Sequence, residues 1–156
     1  MNAHESQQGF SLIELLIVVA IIGILAAIAI PNLIASRRAA NEASATASIR
    51  TLTGAEATYA STVGNGAYGN LGALQGQGLI DEVLGGATKS GYNFAATPGV
   101  SGTLNIYVTG AAPSSISAGT ATGTREFSSD STGVIYAATA ASTTAPTATS
   151  GTPLGN

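Results

Sequence analysis

Few side chains in this sequence can do chemistry, and their placement narrows what that chemistry is. The only histidine is His4 and there is no cysteine. A Ser-His-Asp relay would have to run through His4, and no thiolate nucleophile, thiolate metal site or disulfide can be built. Glu14 is a different case, because it is the single charge in residues 10–35. An ionised carboxylate in an apolar run is costly unless a cation meets it, so its expected role is charge pairing. Asp81, Glu82 and Asp130 could offer oxygens to calcium, but their spacing fits no calcium loop and they read as solvated acids. Tyr59, Tyr68, Tyr92, Tyr107 and Tyr136 read as core and interface residues rather than an electron path. No catalytic residue, metal ligand or cofactor is assigned.

The elements that must carry Glu14 are set by hydropathy. Residues 15–30 are wholly apolar apart from Gly23, and with the residues before them they provide the roughly 20 positions that a helix needs to cross a bilayer. Beyond Pro31 the helical pattern continues, with one further glycine, Gly54, before position 62. Ile49, Leu52, Ala55, Tyr59 and Val63 recur at spacings of three and four, an apolar stripe on one face. The expectation is one helix over residues 10–62, hydrophobic all round at first and amphipathic later. At 1.5 Å per residue it would run ~80 Å, too long for the rest of the chain to bury.

Gly64-Asn65-Gly66 supplies the stop. Leu79 to Leu84 could form a helical turn or two. Alternation at Tyr92, Phe94 and Ala96, then at Leu104, Ile106 and Val108, indicates strands, with Thr97-Pro98-Gly99 between them read as a turn. Residues 125–128 and 134–137 flank Ser129 to Gly133 as a hairpin. Three or four antiparallel strands are expected. Residues 139–156 contain no charge and one leucine, and read as a flexible Ser/Thr-rich tail.

Gly9-Phe10-Ser11-Leu12-Ile13-Glu14-Leu15-Leu16, running on to Ala29-Ile30-Pro31-Asn32, closely resembles the N-terminal signature of type IV prepilins and type II secretion pseudopilins. A weaker likeness continues at Gly91-Tyr92-Asn93-Phe94 and through residues 125–135. The resemblance implies an α+β pilin fold, in which the helix packs its C-terminal half on a small 3–4-stranded antiparallel sheet. It divides the chain into a removed leader (1–9), a transmembrane and filament-core helix (10–35), a globular domain (36–138) and the tail (139–156).

It also implies roles. A prepilin peptidase would cut between Gly9 and Phe10, and the new amine of Phe10 would be N-methylated. Glu14 would pair with that amine on a neighbouring subunit and select the stagger of assembly. The helix between Gly23 and Pro31 would melt in a filament; Pro31 alone removes a donor and clashes with the Ala27 carbonyl, so a kink or break is expected there. Two features run against the pattern. The leader has no Lys or Arg, whereas Arg37 and Arg38 lie on the other flank of the apolar run. Ala27-Ile28-Ala29 resembles a signal-peptidase site, which would make residues 1–29 an ordinary secretory signal.

Charged residues are 8% of the chain and the formal charge is −3 with five basic residues, so nucleic acid is not an expected partner. The expected partners are copies of the chain, a prepilin peptidase and methyltransferase, an assembly machinery, and the cytoplasmic membrane before assembly. The expected function is that of a non-enzymatic subunit of a type IV pilus-like extracellular filament in adhesion, motility or biofilm formation. A type II secretion pseudopilin in a periplasmic pseudopilus is the alternative. A membrane-anchored ligand-binding protein is a third, from a different class.

Overall fold

Leu, Ile and Ala dominate the first third of the chain, and in the computed structural model they form one α-helix, α1 (Leu12–Thr62); residues 9–101 and 104–155 are described. The chain divides into two units, residues 1–36 and 37–156, and each is described by itself. Of the leader expected at residues 1–9, only Gly9 lies among the described residues.

In the first unit, every large apolar side chain from Leu12 to Ile30 is exposed, on all sides of the helix. The helix runs through Gly23 and Pro31 without a break, although Pro31 itself has no N–H to donate. The side-chain amide of Asn32 donates to the Ile28 carbonyl at 3.1 Å, and the Ser36 hydroxyl to the Asn32 carbonyl at 3.0 Å. Bonds of this kind, back to the preceding turn, let polar side chains sit on an apolar helix without exposing unpaired donors.

In the second unit, α1 buries Ala45, Ile49, Leu52 and Ala55, as its stripe requires. Val63 lies past the last turn and is exposed, so the stripe ends one residue earlier than its spacing implied. The stop is made where Asn65 and Gly66 take positive φ, of 49° and 88°. A short helix that the sequence pattern does not indicate comes next, α2 (Leu71–Gly76), whose N-cap Asn70 accepts the Ala73 N–H at 2.9 Å. After it, α3 (Glu82–Gly85) is capped in the same way by Asp81. Asp81 also pairs with Lys89 at 3.0 Å, so that this acid completes a helix end rather than a calcium loop.

The strands are β1 (Thr88–Lys89), β2 (Tyr92–Ser101), β3 (Leu104–Pro113), β4 (Arg125–Asp130), β5 (Ile135–Thr139) and β6 (Thr152–Pro153). They form one antiparallel sheet in sequence order, six strands where three or four were expected. The two additional strands are two residues long, too short to leave a periodic signal. β1 and β2 join through Ser90-Gly91, with φ of 49° and 71°, the signs a tight two-residue hairpin needs. The turn expected at Thr97-Pro98-Gly99 is instead strand: Pro98 pairs with Tyr107 within a ten-residue β2–β3 ladder. β1 reaches only Tyr92 and Asn93, so beyond them β2 is an edge, where a proline's missing N–H costs no ladder bond.

Tyr92, Phe94, Ala111, Phe127, Ile135 and Ala137 face α1 and close the core. The tail covers the other side of the sheet. Asn93 on β2 donates to the Thr143 carbonyl at 2.8 Å, the Ser150 N–H donates to Ser128 of β4 at 3.4 Å, and residues 152–153 then pair with β5. The segment read as a flexible tail therefore supplies the sixth strand. Gly110 of β3 is what lets it pass, because a Cβ there would stand 2.1 Å from the Pro146 carbonyl oxygen. Gly110→Ala is expected to cost about 1–3 kcal/mol, the usual range for overpacking. Thermal melting in detergent checks this: an unchanged midpoint would mean that the tail does not bear on β3.

Candidate filament-forming helix and the clamp on the globular unit

Gly9 and Phe10 precede α1 and both are exposed, Phe10 at 87%. Ser11 takes the N-cap position and Leu12 begins the helix, which makes Glu14 the third helical residue. Its Oε2 accepts the Ser11 N–H at 2.9 Å. Ser-x-x-Glu is the capping-box pattern, in which the glutamate satisfies a backbone donor that the helix leaves free. The spacing of Ser11-Leu12-Ile13-Glu14 displays this local role, which the charge argument for Glu14 did not include. The amine expected to meet Glu14 would lie on Phe10, one residue before that cap. Gly23 is exposed, with open space around its Cα, and Pro31 lies farther along on the same apolar helix.

α1 is long and apolar enough to cross a membrane, and the apolar stretch ends before Arg37. From Arg37 onward the chain is built for a different environment. Arg38, Asn41 and Glu42 lie on one side of the helix by their spacing of three and four. Arg38 Nε donates to the Ala121 carbonyl at 3.0 Å and the Asn41 amide to the Thr122 carbonyl at 2.8 Å. Glu42 Oε1 accepts both the Thr124 N–H at 2.9 Å and its hydroxyl at 2.8 Å, and Oε2 meets Arg125 Nε at 2.9 Å. Arg125 in turn stacks 5.4 Å from the centre of the Phe127 ring. Three helical side chains thus hold the β3–β4 connection in a protein without cysteine.

Burial works to raise the Glu42 carboxyl, but the two Thr124 bonds and the Arg125 guanidinium outweigh it and hold it below the ordinary range. Glu56, also buried on α1, has the opposite setting. Its Oε2 accepts the Gly69 N–H at 2.9 Å, its Oε1 is buried without a partner, and burial pushes its carboxyl up to about 7. Neither acid stands out in the sequence by motif. Glu42, Ile49 and Glu56 are spaced at sevens, however, and that spacing places both acids on the buried face. Among the described residues, no group of three or more His, Cys, Asp or Glu is placed to hold a metal ion.

Residues 6–30 match the family model of the prokaryotic N-terminal methylation motif. The chain is 60% identical over 43 residues to the type IV wide pilus major component PilA4 of Thermus thermophilus, covering 28% of this chain and 33% of that protein. It is 50% identical over 56 residues to the type IV major pilin protein PilA of Myxococcus xanthus, covering 36% and 26%. It is 37% identical over 59 residues to the type II secretion system core protein G of Escherichia coli, covering 38% and 41%. The chain thus spans well under half the length of each of these relatives. No solved structure matches it.

Through this N-terminal segment the chain is similar to type IV pilins and to a type II secretion pseudopilin. Its fold, one long helix packed on an antiparallel sheet, is the α+β arrangement that the resemblance implies.

Removing the Glu42 carboxylate leaves the Thr124 donors and Arg125 without their acceptor. Glu42→Ala is expected to lose about 2–3 kcal/mol. Because the folded carboxyl is held below its unfolded value, its contribution is present above the ordinary carboxylate range and disappears as pH falls through the lowered value. Melting midpoints of wild type and Glu42→Ala should therefore converge in acid. Curves that stay parallel far into acid would refute the assignment.

Proposed function

We propose that this chain is the structural subunit of a type IV pilus-like extracellular filament, with no catalysis of its own. The observation that supports this most directly is the first part of α1. Leu12 to Leu33 presents large apolar side chains on every side, directly after a Gly9-Phe10 step that lies within the methylation motif. Such a surface needs hydrocarbon or other copies of itself, since exposed apolar area at roughly 25 cal/mol per Å2 is a strong drive to association. In this reading the helix anchors the subunit in the cytoplasmic membrane, N-terminus inward, until a prepilin peptidase cuts between Gly9 and Phe10 and the Phe10 amine is methylated. The helices then leave the bilayer for a bundle in the filament. Gly23 and Pro31 lower the cost of unwinding between them, because glycine weakens a helix and proline has already removed one of its bonds.

Glu14 would exchange one partner for another. In the isolated chain it accepts the Ser11 N–H; in the filament it would meet the Phe10 amine of a neighbour, and a subunit out of stagger would leave both charges buried and unpaired. The filament would serve adhesion, motility or biofilm formation. The match to core protein G favours a second reading, a type II secretion pseudopilin, and shearing separates the two, since long surface fibres containing this chain support the pilin.

Two measurements test the reading. Mass spectrometry of sheared filaments should find a mature N-terminus at N-methylated Phe10; a start at Ile30 would overturn it in favour of a secretory signal. Glu14→Ala should still be cleaved but should yield few or no filaments, and wild-type filament numbers would exclude the charge pairing.

A further inference from the structure

Glu56 lies on the core-facing side of α1 with no solvent exposure, in the globular unit and well beyond the apolar segment. Among the described residues its hydrogen-bond partner is the Gly69 N–H, in the loop between α1 and α2. Its other oxygen, Oε1, is buried without a partner. No arginine or lysine among the described residues acts on it. The titratable groups around it are phenols: Tyr107 of β3, which feels its charge, Tyr68 of the loop, whose ring meets Tyr107 edge-on at 4.6 Å, and Tyr59 one turn along α1. Asp130, at the end of β4, acts on Tyr107 and adds a further negative charge to that neighbourhood. A carboxylate so placed has one bond and no cation to replace its hydration, whereas a neutral acid keeps the Gly69 bond without that burden.

The loop is arranged so that this one bond matters. Packing around position 69 is tight, since a Cβ would stand 3.2 Å from the Ala73 Cβ and 3.3 Å from the Tyr59 ring. At its start the loop stays joined to the end of α1 by the Gly64 N–H to the Tyr59 carbonyl at 2.8 Å and the Gly66 N–H to the Ala60 carbonyl at 2.9 Å, and Asn105 of β3 donates to the Gly66 carbonyl at the surface. Toward the core, its hydrogen bond is the one from Gly69 to Glu56, beside the packing of Tyr68 on Tyr107.

We propose that Glu56 is a proton-operated latch: as a neutral acid it holds residues 64–69 against the globular unit, and as a carboxylate it must be hydrated, which frees that loop from α1. The signal it reads is the pH of the medium around the subunit, and the element that responds is a surface loop next to the end of α1.

The sign and window are fixed by linkage. The group titrates near 7 when the loop is closed and near the ordinary value of 4.5 when open, so closure is strongest below about 4.5. It weakens by up to about tenfold per pH unit between those values and levels off above about 7. Hydrogen exchange on the full-length chain in detergent micelles, corrected for intrinsic rates, should show protection at Tyr68 and Gly69 falling across that window. Amides of β3 and β4 should change far less. In Glu56→Gln, which keeps an acceptor for Gly69 but cannot ionise, protection should be independent of pH. Infrared spectra in mild acid, within that window, should show a protonated-carboxyl band missing from Glu56→Gln. A wild-type loop whose protection does not change with pH, or one that changes equally in Glu56→Gln, would overturn the latch.

Discussion

One helix has to meet two incompatible demands, and the rest of the architecture depends on how it does so. Up to Ile34, α1 carries apolar side chains on every side, a surface that calls for apolar surroundings. From Arg37 onward it must be apolar on one side only, because a sheet covers that side and water the other. Both requirements fall on a continuous backbone, so the change from one to the other is made by side chains alone. Arg38, Asn41 and Glu42 make it within about one turn, converting the start of the second part into a polar attachment for the β3–β4 connection. This attachment does in a cysteine-free chain what a covalent link could otherwise do, by fixing a long connection against the helix. Unlike a covalent link, it depends on a carboxylate remaining ionised.

The two buried acids of α1 show how position sets chemistry. Glu42 and Glu56 lie fourteen residues apart on the same side of the helix. One meets an N–H, a hydroxyl and a guanidinium, and the other meets a single N–H and aromatic rings. Desolvation acts on both, more strongly on the fully buried Glu56, and the added partners of Glu42, a cation among them, separate a structural anion from a group that titrates near neutrality. Their preferences along the pH axis are opposite, so the unit is best served between the acidic range that weakens the clamp and the neutral range that strains the latch.

Much of this was legible in the residues. The extent of α1 needed only its hydropathy and the Gly64-Asn65-Gly66 stop. The inward side of β2 was visible in Tyr92, Phe94 and Ala96, and the β4–β5 hairpin in its Ser, Asp and Gly. The illegible parts depended on partners distant in sequence. Pro98 reads as a turn unless β2 is known to be an edge beyond Asn93. Two-residue strands such as β1 and β6 have no period to detect. The tail has a composition typical of loose chain, and only Gly110, small enough to admit Pro146, marks where it is held. The N-terminal methylation motif itself was plain, whereas the Ser11–Glu14 cap was concealed within it, because the same glutamate belongs to both.

The course of the tail also bears on the order in which the subunit is made. Residues 143–153 pass across strands synthesised long before them, so the outer side of β3 and β4 stays uncovered until almost the whole chain has emerged. That side is lined by Asn93, Gly110, Ala112 and Ser128, which expose little apolar area while they wait. Large aliphatic side chains there would have given a growing chain an adhesive surface in addition to the apolar helix. On this side of the sheet, small residues keep apolar area low wherever the tail has yet to arrive.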